Sequence, residues 1–352
     1  MPRGPHTDDQ GRVDVKSLSL SQLQDKVQEL GHKKFRALQI YKWVWQRGVT
    51  SFDEMTNIAK PLRGGLAEHF YIAFLAEASR KHSDDGTIKF VWDCEDGSQI
   101  ESVFIPDDRR NTLCMSTQVG CAMACTFCLT GDMGLKRQLR PSEIANQPLQ
   151  VQRTLDALGL DTRITNLVLM GMGEPLHNLP NVIPALEIAL DENALNYSHR
   201  KITVSTVGMV HKLPELAAAL PVNLAVSLNA TTDAQRDQVM PINKRFDLEE
   251  LLQACRDFPL PSGKRITFEY VMMAGFNDSM DDAARLEKLM RGLKAKVNLI
   301  PYNENPNREI KRPSDEQVKR FQHYLVNRGI NCSVRVTRGQ DISAACGQLG
   351  KV

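Results

Sequence analysis

The strongest constraint on the fold is an alternation of short apolar runs with longer amphipathic runs, which begins near residue 111. The strand-like runs are 112–119, 164–170, 202–205, 223–227, 266–271, 296–300 and 332–336. The helix-like stretches are 141–158, 179–190, 210–218, 248–257, 280–293 and 314–327. This alternation predicts an α/β fold in which βα units surround a parallel sheet, either open or closed into a barrel. In both forms ligands bind at the carboxyl ends of the strands.

A smaller helical region precedes this domain. Between about residues 17 and 70, apolar side chains such as Leu20, Leu23 and Val27 recur at three- and four-residue spacing, which predicts helices. We assign residues 1–70 to this helical module. Its basic and aromatic residues are interleaved: Lys33, Lys34, Phe35, Arg36, Tyr41, Lys42, Trp43, Trp45, Arg47, Lys60, Arg63 and His69. Such a pattern is typical of either a solvated basic face or a nucleic-acid surface.

Residues 71–110 connect the module to the main domain. Their alternating apolar and polar runs are separated by Asp85-Gly86 and Asp96-Gly97. An Asp-Gly pair between alternating segments favours a β-hairpin. We therefore expect a small antiparallel sheet here, followed by the main α/β domain over residues 111–340.

Composition favours a cytoplasmic enzyme. The chain has 352 residues, 42% of them hydrophobic and 24% charged, which is ordinary for a globular protein. Its polar start lacks the apolar core of a secretory signal, and no run of 18 apolar residues is present, so we expect no membrane association. Eight cysteines in a reducing compartment favour metal or redox chemistry over a disulfide scaffold. The net charge of +2 neither supports nor excludes an RNA partner.

Cys121, Cys125 and Cys128 are spaced C-x3-C-x2-C in the run VGCAMACTFCLTG. Three thiolates can bind three irons of one [4Fe–4S] cluster and leave the fourth iron open to a ligand. A structural zinc site is the alternative, and it normally closes with four Cys or His ligands. The nearest further cysteines, Cys94 and Cys114, lack the usual paired spacing. The spacing therefore favours the cluster.

Polar residues follow several predicted strands. The second strand runs into Gly171-Met172-Gly173-Glu174-Pro175, where glycines allow close backbone approach and Glu174 can accept hydrogen bonds from an ammonium group. Later strands end at Ser205-Thr206, Ser227-Leu228-Asn229 and Pro301-Tyr302-Asn303. Each segment alone is more often a turn or helix cap. Together, at strand ends and after a cysteine motif, they indicate a binding site.

These motifs resemble those of the radical S-adenosylmethionine methyltransferases that act on C2 of adenosine in RNA. The resemblance rests on CMSTQVGCAMACTFCLTGDMGLKRQL, GMGEPLHNLPNV, ITVSTVG, SLNATTDAQRDQVMPINKRF, LIPYNENP and TRGQDISAACGQL. It extends to FRALQIYKWVWQRGVTSFDEMTNI in the helical module and so covers nearly the whole chain. Two cysteines outside the cluster motif, Cys114 and Cys346, also fall where this family has them.

The resemblance implies a partial (β/α)6 barrel of the TIM type, with a C-terminal segment, residues 341–352, that carries a methyl-accepting cysteine. C2 of adenine is electron-poor and cannot attack a methyl group as a nucleophile. By resemblance, one S-adenosylmethionine methylates Cys346, and a second is cleaved to a radical that activates this methyl for addition to C2. Cys114 then resolves the adduct through a transient disulfide with Cys346. Glu101 matches the family's proton acceptor.

The resemblance also implies the contacts to S-adenosylmethionine, through Gly173, Glu174, Ser205, Ser227, Leu228, Asn229 and Asn303. Many relatives have His at the position of Asn229, and Asn can bind but cannot titrate near neutral pH. The implied partners are 23S rRNA, tRNA and an external reductase such as flavodoxin, and we expect a monomer. The alternatives are methylation at C8 or another radical reaction. Pro175 and the run TRGQDI before Cys346 favour C2.

Overall fold

The computed structural model describes residues 6–260, 263–305 and 308–350. Residues 1–5 of the predicted helical module and residues 351 and 352 of the predicted C-terminal segment lie outside these ranges. In the described part of the chain, no helix is long and apolar enough to cross a membrane.

The N-terminal region is helical, as the sequence pattern predicts. It contains β1 (Val13–Asp14), α1 (Leu20–Glu29), α2 (Phe35–Trp45), α3 (Lys60–His69) and β2 (Phe70–Tyr71), with β1 parallel to β2. A capping box starts α1, because Ser19 Oγ accepts from the Gln22 N–H and the Gln22 side chain accepts from the Ser19 N–H. The apolar side chains of these helices share one core with the main domain.

The antiparallel strands are β3 (Ala76–His82), β4 (Ile88–Asp93) and β5 (Gln99–Ile105). β5 also pairs, antiparallel, with β6 (Thr112–Cys114). The predicted small antiparallel sheet is therefore present, but it continues the main sheet and does not form a separate layer. This continuity places β4 and β5 next to the strands that form the site.

The main domain begins at β6. It continues with β7 (Gln118–Gly120), α4 (Leu129–Asp132), β8 (Leu135–Gln138), α5 (Pro141–Ala157), β9 (Asn166–Leu169), α6 (Leu179–Leu190), β10 (Ile202–Thr206), α7 (Leu213–Ala219), β11 (Asn223–Ser227), α8 (Asp233–Val239), α9 (Leu248–Asp257), β12 (Ile266–Met272), α10 (Met280–Met290), β13 (Ala295–Pro301), α11 (Asp315–Val326) and β14 (Cys332–Val334). The ten-stranded sheet has the order β14-β13-β12-β11-β10-β9-β6-β5-β4-β3. From β6 to β14 all neighbours are parallel, which confirms a partial barrel of strand–helix units.

The predicted strand 112–119 is two strands. β6 lies in the main sheet, whereas β7 forms a separate antiparallel pair with β8. The backbone at Gly120, at the end of β7, passes very close to the backbone at Gly134, just before β8. A Cβ on Gly120 (φ 75°) would lie only 1.9 Å from the Gly134 carbonyl oxygen. Only glycine fits there. The next residue, Cys121, donates its N–H to the same Gly134 carbonyl (2.9 Å).

Candidate active site

One cavity lies at the carboxyl ends of the barrel strands and gathers most of the predicted site residues. It is lined by Cys121, Cys125, Cys128, Gly173, Glu174, Ser205, Ser227, Asn229, Asn303 and Cys346, together with Thr206, Glu269, Tyr302 and Arg335. These residues come from loops or strand ends that are far apart in sequence. The fold therefore brings the cysteine motif, the Gly-Glu segment and the C-terminal cysteine to one place.

The cysteine motif occupies the loop between β7 and α4. The Cys128 N–H donates to the Cys125 carbonyl (3.1 Å), and Ala124 has a left-handed φ of 50°, so the loop turns tightly back on itself. Burial raises the pKa of Cys121 to about 12 and also raises the pKa of Cys125. Buried thiols of this kind become thiolates when a metal replaces their protons.

The three cysteines of this loop line one cavity. In the ranges that the structure describes, no three His, Cys, Asp or Glu side chains are arranged to hold a metal ion. An iron–sulfur cluster does not require such convergence, because each thiolate binds a different iron. Three cysteines on one cavity wall, facing polar strand ends, therefore fit a cluster with one iron open to a ligand.

Glu174 is a buried carboxylate in the loop that follows β9. Its Oε1 accepts from the Leu176 N–H (3.0 Å) and its Oε2 accepts from the Val207 N–H (2.9 Å). Burial raises its pKa to about 7, although these N–H groups and the Thr206 hydroxyl lower it. Within the described residues, no Lys, Arg or His forms an ion pair with Glu174. A ligand ammonium would supply the missing cation.

Gly173 sets the position of this carboxylate. A Cβ at Gly173, where φ is 100°, would lie 2.5 Å from the Gln118 side chain. Gln118 Oε1 in turn accepts from the Glu174 N–H at 2.8 Å. Glycine is thus required for both the backbone conformation and the close packing that orients Glu174.

The later strand ends differ in how freely they face the cavity. Ser205 and Ser227 are partly exposed within it. Asn229 has a φ of 58°, and its Oδ1 accepts from the Val271 N–H (2.8 Å), so it also fixes the loop between β11 and α8. Leu228 packs in the apolar core and does not line the cavity, and its N–H donates to the Glu269 carbonyl (2.9 Å). Its predicted contact with S-adenosylmethionine stays a prediction.

Cys346 reaches the cavity from the C-terminal segment. Asn303 Nδ2 donates to the Cys346 carbonyl (3.0 Å), and the Leu129 N–H donates to the Gly347 carbonyl (2.8 Å). Cys114 is buried at the end of β6, and its pKa is raised to about 12. Burial is the largest cause, and the nearby Cys346 is the second. The two cysteines that the resemblance pairs are therefore neighbours.

Glu101 is placed differently. It is completely buried on β5, its Oε1 lies 3.2 Å from Lys89 Nζ, and it is not among the side chains that line the cavity. Its Oε2 accepts from the Gly350 N–H (2.8 Å). The predicted role as proton acceptor stays a prediction.

Sequence reasoning missed two residues of this region. Arg335 lines the cavity, and the nearby Cys346 is the main cause that raises the pKa of Arg335. It follows a short strand and has no motif of its own. Lys89 forms an ion pair with Glu101. In the β4–β5 pair, Lys89 lies opposite Val103 and Glu101 lies opposite Val91, so the two charged residues are diagonal neighbours. The alignment of the two hairpin strands could therefore have indicated this pair.

Comparisons with known proteins agree with this geometry. Residues 13–72 match the ribosomal RNA large subunit methyltransferase N-terminal domain, and residues 115–286 match the radical SAM superfamily. The chain is 51% identical over 341 residues to a dual-specificity RNA methyltransferase RlmN of Anaeromyxobacter sp. (strain Fw109-5), covering 96% of this chain and 90% of that protein. It is 50% identical over 337 residues to the RlmN of Geobacter sulfurreducens, covering 96% and 92%.

A solved structure extends the comparison to the fold. A radical SAM methyltransferase from Sphaerobacter thermophilus superposes with a TM-score of 0.90 at 41% identity, over 96% of this chain and 98% of that one. The predicted partial barrel is confirmed by this likeness. With half of its residues identical to those of RlmN proteins over nearly its whole length, the chain belongs to the RlmN family of radical SAM methyltransferases.

Proposed function

We propose that the protein methylates C2 of adenosine in 23S rRNA and in tRNA. One observation carries the proposal: Cys346 lines the cavity that contains the cysteine motif and Glu174, and it also neighbours the buried Cys114. A methyl-carrying thiol needs access to the donor site, and a resolving thiol must lie within reach of it. The relatives' designation as dual-specificity RNA methyltransferases supports both RNA substrates.

The cofactors follow from the superfamily, which implies a [4Fe–4S] cluster and S-adenosylmethionine. We assign Cys121, Cys125 and Cys128 as ligands of one cluster. When bound, the cluster would supply one electron for the reductive cleavage of S-adenosylmethionine to a hydrogen-abstracting radical and would take one electron back from the base adduct. Glu174 accepts hydrogen bonds from the ligand's ammonium group, and Gly173, Ser205, Ser227, Asn229 and Asn303 complete the pocket.

The chain's own thiols carry the methyl group. The Cys346 thiolate, next to the Arg335 guanidinium, takes a methyl from one S-adenosylmethionine, and a second molecule is used to activate that methyl for addition to C2. The base is then bonded to Cys346 through a methylene group. The adduct then loses one electron, and Glu101 accepts its C2 proton. The Cys114 thiolate attacks the Cys346 sulfur, so a sulfur–sulfur bond forms while the carbon–sulfur bond breaks. The electron pair of the broken bond stays on the methylene carbon, which takes up a proton and becomes the methyl group. An external reductase system such as flavodoxin supplies the reducing electrons, and the disulfide is reduced before the next turnover.

The helical module is the proposed RNA contact. The guanidinium of Arg36 lies 4.6 Å from the Phe35 ring centre, and that of Arg47 lies 5.7 Å from a Trp43 ring centre. Phe35 is 50% exposed. Arginine stacked on an exposed aromatic ring offers both a phosphate contact and a surface for unpaired bases.

We propose that the protein acts as a cytoplasmic monomer.

The experiment is mass spectrometry of modified adenosines in both RNA pools from cells that lack the protein. The proposal predicts loss of 2-methyladenosine from 23S rRNA and from tRNA, with recovery when the gene is restored. Loss of 8-methyladenosine instead would establish the C8 alternative. Unchanged 2-methyladenosine in both pools would refute the proposed function.

A further inference from the structure

A buried ion pair outside the cavity is connected to both ends of the segment that carries Cys346. Lys89 on β4 and Glu101 on β5 are 4% and 0% exposed, with Nζ and Oε1 3.2 Å apart. Lys89 Nζ also donates to the Ser343 carbonyl (3.2 Å), and Glu101 Oε2 accepts from the Gly350 N–H (2.8 Å). Cys346 lies between these two backbone anchors.

The energetics explain why a charged pair is retained here. Two buried charges gain little net stability, and well-packed apolar residues often replace them without loss. An apolar pair, however, would remove the partners of the Ser343 carbonyl and the Gly350 N–H, which belong to half-buried residues. Each lost hydrogen bond to a charged group would weaken the attachment of the segment. Lys89 supplies the donor and Glu101 the acceptor that the two backbone groups require.

The segment itself needs to be held. Ser343 adopts a left-handed φ of 53°, which is unfavourable for a residue other than glycine and persists only when its surroundings fix it. The turn between β3 and β4 forms two further hydrogen bonds with the residues just before this segment. The Gly339 N–H donates to Asp85 Oδ2 (2.9 Å), and Ser83 Oγ donates to Asp341 Oδ1 (2.6 Å).

We propose that Lys89 and Glu101 form a clasp that closes residues 343–350 over the barrel and so presents Cys346 to the cavity and to Cys114. Both are positioning residues in this role. The inference rests on the proposed function for the meaning of Cys346, but the clasp itself is a property of the fold. The antiparallel strands β4 and β5 thus contribute to the site, because they place Lys89 and Glu101 against the C-terminal segment.

The test compares two charge-neutral double variants of the anaerobically reconstituted full-length enzyme. Lys89→Met/Glu101→Gln removes the Ser343 anchor but keeps an oxygen for the Gly350 N–H. Lys89→Met/Glu101→Met removes both anchors. Lys81→Met is the control, because Lys81 is exposed and lies opposite Lys89 in the β3–β4 register. The readouts are amide hydrogen exchange and the rate of iodoacetamide alkylation at Cys346.

Loss of one hydrogen bond to a charged group should raise local exchange by about 10- to 150-fold. In the Gln double variant, the amides of residues 343 and 344 should exchange faster while Gly350 stays protected. In the Met double variant, Gly350 should also lose protection, and Cys346 alkylation should rise stepwise through the series. Protection in β10 to β12 reports that the barrel remains folded, and the control should match the parent.

Equal Gly350 protection in both double variants, with Cys346 alkylation unchanged from the parent, would overturn the clasp. If the Met variant does not fold, the Gln variant alone decides, because it must loosen residues 343 and 344 and spare Gly350. Glu101→Gln separates positioning from proton acceptance: Gln keeps the Gly350 bond, so only a proton-accepting role predicts accumulation of RNA bonded to Cys346. A parent enzyme whose Cys346 never carries a methyl would refute the proposed function and leave the clasp intact.

Discussion

Glu174→Gln tests whether the cavity binds S-adenosylmethionine through a carboxylate–ammonium contact. The substitution removes one negative charge and changes the side-chain volume little. Glu174 has only neutral hydrogen-bond donors within the described residues, so the ligand's ammonium group would be its only cation. A hydrogen bond to a charged group contributes about 1.5–3 kcal/mol. The dissociation constant should therefore rise by about 10- to 150-fold.

The matched control is Glu269→Gln, which changes the charge of the same cavity by the same amount. Glu269 already has internal partners: its Oε2 accepts from Asn298 Nδ2 (2.7 Å), and the positive charge of Arg335 acts on it. It should therefore affect the dissociation constant much less than Glu174→Gln. The assay is anaerobic calorimetry with S-adenosylmethionine and cluster-loaded protein. Unchanged affinity in Glu174→Gln, or an equal loss in both variants, would refute the assigned contact.

Two further predictions concern the helical module. Burial lowers the pKa of Lys16 to about 7. Between about pH 7 and pH 10.4 the unfolded chain therefore binds more protons than the folded one. The free energy of unfolding should rise over this range by up to about 1.4 kcal/mol per pH unit. Urea unfolding at several pH values should show this slope in the parent but not in Lys16→Met, and equal slopes would contradict it. Arg36→Ala with Arg47→Ala should weaken RNA binding and flatten its salt dependence without changing the affinity for S-adenosylmethionine. Filter binding over a salt series measures this, and an unchanged slope would place the RNA elsewhere.

Point substitutions are preferred to deletion of the module because the module shares its core with the barrel. Lys16 Nζ donates to Asn146 Oδ1 (2.8 Å), and Ser17 Oγ donates to Ser142 Oγ (3.1 Å), both on α5. Deleting the module would expose this buried surface and confuse loss of RNA binding with loss of folding.

The sequence predicts the parts of the fold that depend on local pattern. Periodicity locates the barrel strands and helices, and the Asp-Gly turns locate the hairpins, because side-chain period and turn chemistry are local properties. The break between β6 and β7 is not visible in an apolar run, since it depends on Gly120 crossing Gly134 in three dimensions.

The candidate site shows the same division. The cysteine motif and the Gly-Glu segment are recognisable in sequence because their spacing is short. The bond from Lys89 to the Ser343 carbonyl joins residues 254 positions apart, and no local pattern contains it. Arg335 is likewise recognised only when the fold places it beside Cys346.

The division of roles between Cys114 and Cys346 is the central claim, and trapped RNA tests it most directly. Cys114→Ala should allow methyl transfer and addition to C2 but block resolution, so protein purified from cells should carry RNA bonded to Cys346. A denaturing gel should show a shifted band that nuclease removes. Cys346→Ala and the double substitution should show no shift. A Cys114→Ala protein that methylates RNA and carries no bonded RNA would contradict the account.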